Sequence, residues 1–214
     1  IKENHYENFV DLVQYDVPIT AQILNRYKNF NERVSKNLKI KTVEFTSTKA
    51  VKPYVKPVFD LINKTYTEIY GFTKLTEDEM TEFAERFLPL LNPKLIKMIT
   101  DENGELLAFI IAMADLSEAI KNSRGRILPF GWARILWAMK TSKRLQLLLG
   151  AIHPNYQNKG LDAVLATMLF GSALKLGFKT VDSHLIMKDN LKMRGEIEKL
   201  EGFNLYKEYC IFRK

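Results

Sequence analysis

The stretch from Leu145 to Leu176 constrains the fold of this 214-residue chain more than any other part of it. It begins with an apolar run, Leu145 to Ile152, that is too short for a buried helix and is stopped by Pro154. A polar turn follows, and from Leu161 the apolar residues recur at helical spacing until Gly177, a residue type common at helix ends. The pattern predicts a strand, a tight loop and a helix in direct succession.

The loop between this strand and this helix has the chemistry of an anion site. The free N–H groups and the positive dipole end of a helix N-terminus favour a phosphate. Gly160 lets the backbone approach such a ligand, and Lys159 adds a positive charge beside it. A glycine in a turn also has a purely structural use, so both roles stay open for Gly160.

The same loop resembles the acyl-CoA signature of the GCN5-related N-acetyltransferase superfamily, Gln/Arg-x-x-Gly-x-Gly/Ala. Gln157, Gly160 and Asp162 stand at its three defined positions, and Ile152-His153-Pro154 resembles the Val-x-Pro end of the family's fourth strand. The resemblance implies acetyl-CoA or another acyl-CoA as cosubstrate, and no metal. The cofactor-binding residues that it implies are Ala151, Ile152, His153, Gln157, Asn158, Lys159, Gly160, Leu161, Asp162 and Asn190.

Asp162 departs from the family pattern. The family has a small neutral residue at this position, whereas Asp162 brings a carboxylate to the first turn of the helix. The resemblance therefore implies that pyrophosphate binding is weakened here.

Composition narrows the classes of function. The formal charge of +7 is spread along the chain and suits phosphate-bearing ligands better than nucleic acid, which calls for a dense basic stripe. Cys210 is the only cysteine, so a reducing, cytoplasmic compartment is expected. The longest apolar run, Leu106 to Ala114, is too short to cross a bilayer, and no membrane span is predicted.

The segment before the central stretch reads as strands and helices. Residues 39–46 alternate like a strand, and two amphipathic helices follow, the second of which begins with a capping box formed by Thr76 and Glu79. Asn103-Gly104 predicts the turn of a hairpin over residues 95–114.

The carboxyl-terminal segment adds a strand from Thr180 to Ile186, a short helix from Asn190 and a final pair of strands after Gly202. This order of elements is that of the acetyltransferase superfamily. We therefore predict an α/β (α+β) fold with a mixed, mostly antiparallel central sheet, flanking helices and a helical insertion between strands 3 and 4.

The insertion runs from Asp115 to Lys143 and carries an apolar face over Leu128 to Met139. Such a stripe belongs to a core more often than to a ligand site. The alternatives are a helix that covers the acceptor side of the site and a homodimer interface.

The pattern Pro129-Phe130-Gly131-Trp132, with the loop and Asn190-x-Lys192, looks like an uncharacterised bacterial family of longer proteins with tandem acetyltransferase-like halves. In that comparison residues 1–38 are a strand and an amphipathic helix, the end of a preceding half and a connector. Residues 39–214 are the acetyltransferase-like domain.

Direct acyl transfer needs a base for the amine and a proton source for the leaving thiolate. Neither is obvious, because the strand Leu145 to Ile152 carries no carboxylate and the helix after Asn190 lacks tyrosine. The nearest catalytic substitutes are His153, Tyr156, His184 and Tyr206. Asp182 lies two residues before His184 on the predicted strand, so both are expected to face the same side. The alternatives are a carboxylate that tunes a histidine base and an exposed pair on a sheet edge.

Two functional hypotheses follow. The first is an acyl-CoA-dependent N-acyltransferase that acylates a small-molecule amine. The second is a catalytically degenerate acetyltransferase-like module that binds or packs against a partner domain. The loop Gln157 to Gly160 favours the first hypothesis, and Asp162 favours the second.

Overall fold

The computed structural model describes residues 6–126 and 131–214. Its strands are β1 (Glu7–Pro18), β2 (Lys41–Glu44), β3 (Ile96–Thr100), β4 (Leu106–Ala114), β5 (Arg144–Ile152), β6 (Thr180–Asp182), β7 (Ile186–Met187) and β8 (Asn204–Arg213). Its α-helices are α1 (Ala21–Asn37), α2 (Thr48–Val51), α3 (Val55–Thr65), α4 (Glu77–Phe87), α5 (Ser117–Asn122), α6 (Gly131–Thr141), α7 (Leu161–Lys175) and α8 (Leu191–Glu198).

The strands join in one mixed, mostly antiparallel sheet, which confirms the predicted fold class. Its order is β2-β3-β4-β5-β6-β1-β7, and β8 pairs with β1. The pairing of β5 with β6 is parallel and joins Arg144–Gln146 to Thr180–Asp182. The predicted helical insertion corresponds to α5 and α6, which lie between β4 and β5.

The chain divides into two compact units. The terminal unit contains Ile1–Ile19, Ala114–Leu147 and Gly177–Lys214, and the central unit contains Thr20–Met113 and Leu148–Leu176. The predicted division into residues 1–38 and 39–214 stays a prediction.

Two apolar clusters form the core of the central unit. In the first, Phe59 of α3 and Met80 of α4 belong to one buried cluster with Phe109 of β4. In the second, α1 and α7 meet through residues such as Val34 and Leu165. Each fully buried Val, Leu or Phe side chain contributes about 1.5 to 3 kcal/mol, so these clusters fix the start of α7 against the sheet.

Two local motifs of the central unit confirm their predictions. At the start of α4, the Thr76 hydroxyl accepts from the Glu79 N–H, and the Glu79 carboxylate accepts from the Thr76 N–H at 2.8 Å. In the β3–β4 hairpin, the Asp101 carboxylate accepts from the Asn103 N–H at 2.9 Å, and Gly104 has a φ of 90°.

The terminal unit is built around β1. The strand predicted within residues 1–38 is confirmed as β1, which pairs antiparallel with β6, β7 and β8. The prediction of a final pair of strands is wrong, because β8 is one strand and its neighbour β1 comes from the other end of the chain. A long-range partner of this kind leaves no turn signal in the sequence.

The predicted strand from Thr180 to Ile186 is also wrong in part. It is broken after Asp182, where His184 adopts a φ of 61°, and it resumes only as the short strand β7. A left-handed backbone cannot continue a β-ladder.

The amphipathic helix expected within residues 1–38 is α1, which Thr20 caps, and Pro18 lies before it at the end of β1. The helix expected over Leu128 to Met139 is present from Gly131, and the predictions on Leu128, Pro129 and Phe130 lie outside the described residues.

Candidate active site

The segment after β5 turns the chain directly into α7. Pro154–Tyr156 form one turn of 3-10 helix, and Asn158 and Gly160 have positive φ angles of 59° and 86°. Gly160 is the N-cap of α7, and no side chain caps that helix. The N–H groups of its first turn are therefore left to solvent or to a ligand, as an anion site requires. We call residues 153–160 the phosphate loop.

Gly160 has a structural use of its own. A Cβ atom at this position would lie 2.7 Å from the Phe30 ring and 3.1 Å from Val34 Cγ2, both on α1. Together with the positive φ, these distances make glycine necessary for the packing of α1 against α7. The role of Gly160 towards a phosphate stays a prediction.

Two charged side chains flank Gly160. The Nζ atom of Lys159 lies 5.2 Å from the centre of the Tyr156 ring, a cation–π contact. Asp162 is the second residue of α7, is half-buried, and its carboxylate makes no hydrogen bond or ion pair within the described part of the chain. The carboxylate therefore interacts favourably with the helix dipole and unfavourably with any bound phosphate.

The other predicted cofactor-binding residues of the central unit differ in which of their groups can contact a cofactor. Ala151 and Leu161 are buried in its core, so they have only backbone groups for a ligand. Gln157 Nε2 donates to the Ile152 carbonyl at 3.4 Å, and the side chain of Asn158 is exposed.

His153 is held from both sides of its ring. The Asn155 N–H donates to Nδ1 at 3.2 Å, and Nε2 lies 2.6 Å from Lys64 Nζ at the end of α3. Both ring nitrogens therefore face an N–H donor, and a neutral imidazole ring can accept from only one of them. His153 packs edge-on against Tyr156, with ring centres 6.0 Å apart.

Tyr66 reaches the same strand and was not predicted as a site residue. Its hydroxyl donates to the Gly150 carbonyl at 2.9 Å and lies 3.2 Å from the Gly150 N–H. Burial raises the pKa of Tyr66, and the contact with Gly150 opposes the shift. The phenol therefore carries its proton at neutral pH and can donate it.

In the terminal unit, Asp182 is the centre of a closed hydrogen-bond cluster. Its carboxylate accepts from Gln14 Nε2 at 2.6 Å, from the Tyr206 hydroxyl at 2.5 Å and from the His184 backbone N–H at 2.9 Å. Burial, and next the bond to Asp182, raise the pKa of Tyr206. The expected alignment of Asp182 and His184 on one strand is wrong, because β6 ends at Asp182.

Arg144 offsets part of the negative charge of this cluster. Its guanidinium lies 3.1 Å from Asp182, 3.2 Å from Asp16 and 4.0 Å from Asp115, and its centre lies 4.6 Å from the centre of the Tyr206 ring. Sequence reasoning missed this group, since its three carboxylates stand far apart in the chain. We call these four charged residues with Gln14 and Tyr206 the Arg144 cluster.

The Arg144 cluster borders a cavity of 1350 Å³ within the terminal unit. The cavity is lined on one side by Asp182, His184 and Tyr206, and on another by Arg134 and Trp137 of α6. Two of the four predicted catalytic residues, His184 and Tyr206, therefore share this cavity. The other two, His153 and Tyr156, share the phosphate loop.

Asn190 lies in the terminal unit at the start of α8, where its side chain accepts from the Met193 N–H at 3.1 Å. It is an N-cap, and a contact with pantetheine stays a prediction. Across residues 6–126 and 131–214, no group of three His, Cys, Asp or Glu side chains is arranged to hold a metal ion. No described helix is long and apolar enough to cross a membrane.

Comparison of sequences finds distant relatives. No protein-family model matches the chain. It is 24% identical over 166 residues to the bacterial ceramide synthase of Caulobacter vibrioides and 27% identical over 162 residues to protein YghO of Escherichia coli. These matches cover 75% and 72% of this chain but only 43% and 41% of those proteins, so the chain spans less than half the length of either relative.

Comparison of structures gives a consistent fold. A tandem GCN5-related N-acetyltransferase from the clavulanic acid biosynthesis pathway matches 97% of this chain and 54% of its own, with a TM-score of 0.59 at 12% identity. A GCN5-related N-acetyltransferase from Sphaerobacter thermophilus matches 100% of this chain and 54% of its own, with a TM-score of 0.58 at 10% identity. The chain therefore has the fold of the GCN5-related N-acetyltransferases, as its loop sequence predicted.

Proposed function

We propose that the chain is an acyl-CoA-dependent N-acyltransferase that transfers an acyl group to an amine. The observation that carries the proposal is the uncapped N-terminus of α7 behind the Gln157-x-x-Gly160 sequence. That helix end follows β5 directly, so its N–H groups are available to the pyrophosphate of acetyl-CoA or another acyl-CoA. The shared fold supports the same placement.

Direct transfer makes three demands on the protein. The amine loses a proton and its nitrogen forms a bond to the thioester carbonyl carbon, after which the C–S bond breaks and the thiolate takes up a proton. For the last step we propose Tyr66, because its hydroxyl is bonded to Gly150 of β5, the strand that leads into the phosphate loop. His153, Tyr156, His184 and Tyr206 stay the predicted carriers for the proton of the amine.

For the acceptor we propose a lipid-like amine. One relative is named for ceramide synthesis, and a ceramide is an amide of a long-chain amino alcohol. The lining of the cavity in the terminal unit includes the Glu118 carboxylate and apolar surface from Ala138 and Leu185. Carboxylates suit an ammonium group, and apolar walls suit an alkyl chain.

The tandem neighbour bears on the partner of this chain. That protein has two acetyltransferase-like halves by its name, and this chain matches 54% of its length. We propose accordingly that the chain works beside a preceding acetyltransferase-like half. A cytoplasmic location stays a prediction from the single cysteine.

The second hypothesis, a non-catalytic binding module, rests on two specific observations. Asp162 brings a negative charge to the proposed phosphate site, and Tyr66 occupies the backbone groups of Gly150. Both features would weaken cofactor binding in the absence of compensation.

An activity assay separates the two hypotheses. The chain is incubated with acetyl-CoA or a long-chain acyl-CoA and with a long-chain amino alcohol, a small polar amine or a lysine peptide. We expect free CoA thiol to appear in step with amide product, fastest with the amino alcohol. No thiol release above the protein-free control with any amine would contradict the enzymatic proposal.

The role of Tyr66 has a matched control in Tyr27, whose hydroxyl makes no hydrogen bond within the described part of the chain. Loss of a general acid lowers kcat by about 100-fold or more, so Tyr66→Phe should do so with little change in KM. Tyr27→Phe should leave both constants unchanged. Equal rates for the two variants would remove Tyr66 from the mechanism.

A further inference from the structure

The α5 and α6 helices of the terminal unit expose large apolar side chains. Trp137 is 69% exposed, Trp132 and Leu136 are each 51% exposed, and Ile120 of α5 is 49% exposed. On α6, Trp132 and Leu136 are four residues apart and so lie on one helix face. Exposed apolar surface of this extent marks an interaction site more often than an ordinary surface.

The same segment is basic. Residues 117–143 contain six basic side chains and one acid, so their net charge is +5 against +7 for the whole chain. The six basic residues are Lys121, Arg124, Arg126, Arg134, Lys140 and Lys143, and all are exposed. Among the described residues, none of them has an acidic side chain within ion-pair distance.

The two helices are held together by specific contacts. The Arg134 guanidinium donates to the Asn122 carbonyl at 2.8 Å. A Cβ atom on Gly131 would lie 1.9 Å from the Arg126 carbonyl oxygen, so glycine lets α6 begin against that carbonyl. The apolar and basic groups are thus presented on a preformed surface and need little ordering when a partner arrives.

The chemistry of this surface selects its partner. Tryptophan and leucine beside lysine and arginine are typical of helices that lie in the interface of a negatively charged bilayer. Nucleic acid would match the basic residues but not the exposed aliphatic side chains of Ile120 and Leu136. A second copy of the chain would place the same cationic segment against itself, which is electrostatically unfavourable.

We propose that the outer face of α5 and α6 docks the protein on the surface of an anionic lipid bilayer. Trp132, Leu136 and Trp137 enter the interface, and the basic side chains contact lipid phosphates. The proposal does not depend on the acyltransferase activity. A protein docked in this way would work next to lipid substrates whether or not the phosphate loop binds acyl-CoA.

The chain provides its own probe, because its two tryptophans are both on α6. The full chain is mixed with vesicles of phosphatidylcholine alone or with phosphatidylglycerol, and tryptophan emission and co-sedimentation are measured. We expect a blue shift and sedimentation with the anionic vesicles, both reduced by salt. Brominated lipids should quench the emission, which tests the wild-type chain without any substitution.

Variants locate the surface. Leu136→Ser with Trp137→Ser should weaken binding to anionic vesicles at least tenfold, and Lys140→Glu severalfold. Leu191→Ser is the matched control, since Leu191 is 72% exposed on α8 and should leave binding unchanged.

Four results would overturn the proposal. The first is unchanged tryptophan emission with the chain left in the supernatant, and the second is equal binding by the double variant and the Leu191 control. The third is a concentration-dependent blue shift without lipid, which would indicate self-association. The fourth is binding to a DNA duplex in place of vesicles.

Discussion

The Arg144 cluster and the phosphate loop contain similar residue types but differ in how their polar groups are satisfied. In the cluster, Asp182 is 3% exposed and is surrounded by donors on three sides, with Arg144 as its countercharge. In the loop, no side chain caps α7, and the Asp162 carboxylate has no partner within the described part of the chain. The Asp182 carboxylate is thus held in place by hydrogen bonds, although Arg144 Nε and Nη2 and Asp16 Oδ1 are buried and form ion pairs without hydrogen bonds. In the loop, open donors and an unpaired charge leave room for a ligand.

The largest effect on stability is expected from a substitution in the Arg144 cluster. Arg144→Met should lower the free energy of unfolding by about 2 to 4 kcal/mol, because it leaves buried carboxylates without a countercharge, and the partial exposure of Arg144 reduces the loss. Urea denaturation measures it.

Lys143→Met is the control for that substitution, since Lys143 is exposed and makes no ion pair among the described residues. It should stay within about 0.5 kcal/mol of the wild type. A loss below about 1 kcal/mol for Arg144→Met would show that the cluster does not hold the terminal unit together.

The next effect tests why the loop needs glycine. Gly160→Ala should cost about 2 kcal/mol, from the positive φ and from the clash with Phe30. In a Phe30→Ala background the steric part should disappear, so the two substitutions should be non-additive in urea denaturation.

Gly171 offers a control within the same helix, because a Cβ atom there meets nothing within 4 Å. Gly171→Ala should stabilise the protein by about 0.5 to 1 kcal/mol through helix propensity. Additive costs for Gly160→Ala and Phe30→Ala would mean that α1 packing does not explain the glycine.

A smaller effect on stability is expected for Tyr66, next to the strand that leads into the phosphate loop. Tyr66→Phe should lower the free energy of unfolding by about 0.5 to 1.5 kcal/mol, because it removes the hydroxyl that bonds Gly150. Tyr27→Phe should change it by less. If Tyr66→Phe were neutral, the hydroxyl would be available for chemistry without a structural role, which would sharpen the contrast with Tyr206.

The smallest effect lies away from both regions, in the capping box of α4. The backbone of Thr76, followed by its side chain, lowers the pKa of the Glu79 carboxyl below its usual 4.5. A lowered folded-state pKa gives stability that is present above the unfolded value and is lost as the pH falls through the folded value. In the wild type, the thermal unfolding temperature should therefore fall between about pH 5 and pH 3, around the usual pKa of a glutamate. Thr76→Ala and Glu79→Gln should each make this fall smaller. If both variants lost as much stability at low pH as the wild type, the capping box would not contribute to the pH dependence of stability.

Sequence reasoning succeeded where structure is decided locally. The succession of β5, loop and α7 follows from an apolar run, a proline and helical spacing within residues 145–176. The Thr76 box and the Asn103-Gly104 turn are likewise formed by residues within five positions of one another.

It failed where residues distant in the chain meet. Tyr66 stands 84 positions before Gly150. Gln14 stands 168 positions before Asp182. No periodicity links such residues, and only the pairing of β1 with β6 and β8 brings them together.

The central claim is that the phosphate loop and the start of α7 bind the pyrophosphate of acyl-CoA despite Asp162. At about 4 Å and an effective dielectric of about 20, two unit charges repel by roughly 4 kcal/mol, and exposure and salt reduce this to about 1 kcal/mol. Removing the charge with Asp162→Asn should therefore tighten binding about fivefold.

Calorimetric titration with acetyl-CoA and with acetyl-pantetheine, which lacks the pyrophosphate, tests this claim most directly. We predict that acetyl-CoA binds more tightly than acetyl-pantetheine, and that Asp162→Asn strengthens the binding of acetyl-CoA alone. Equal affinities for the two ligands, or no effect of Asp162→Asn on either, would contradict the claim.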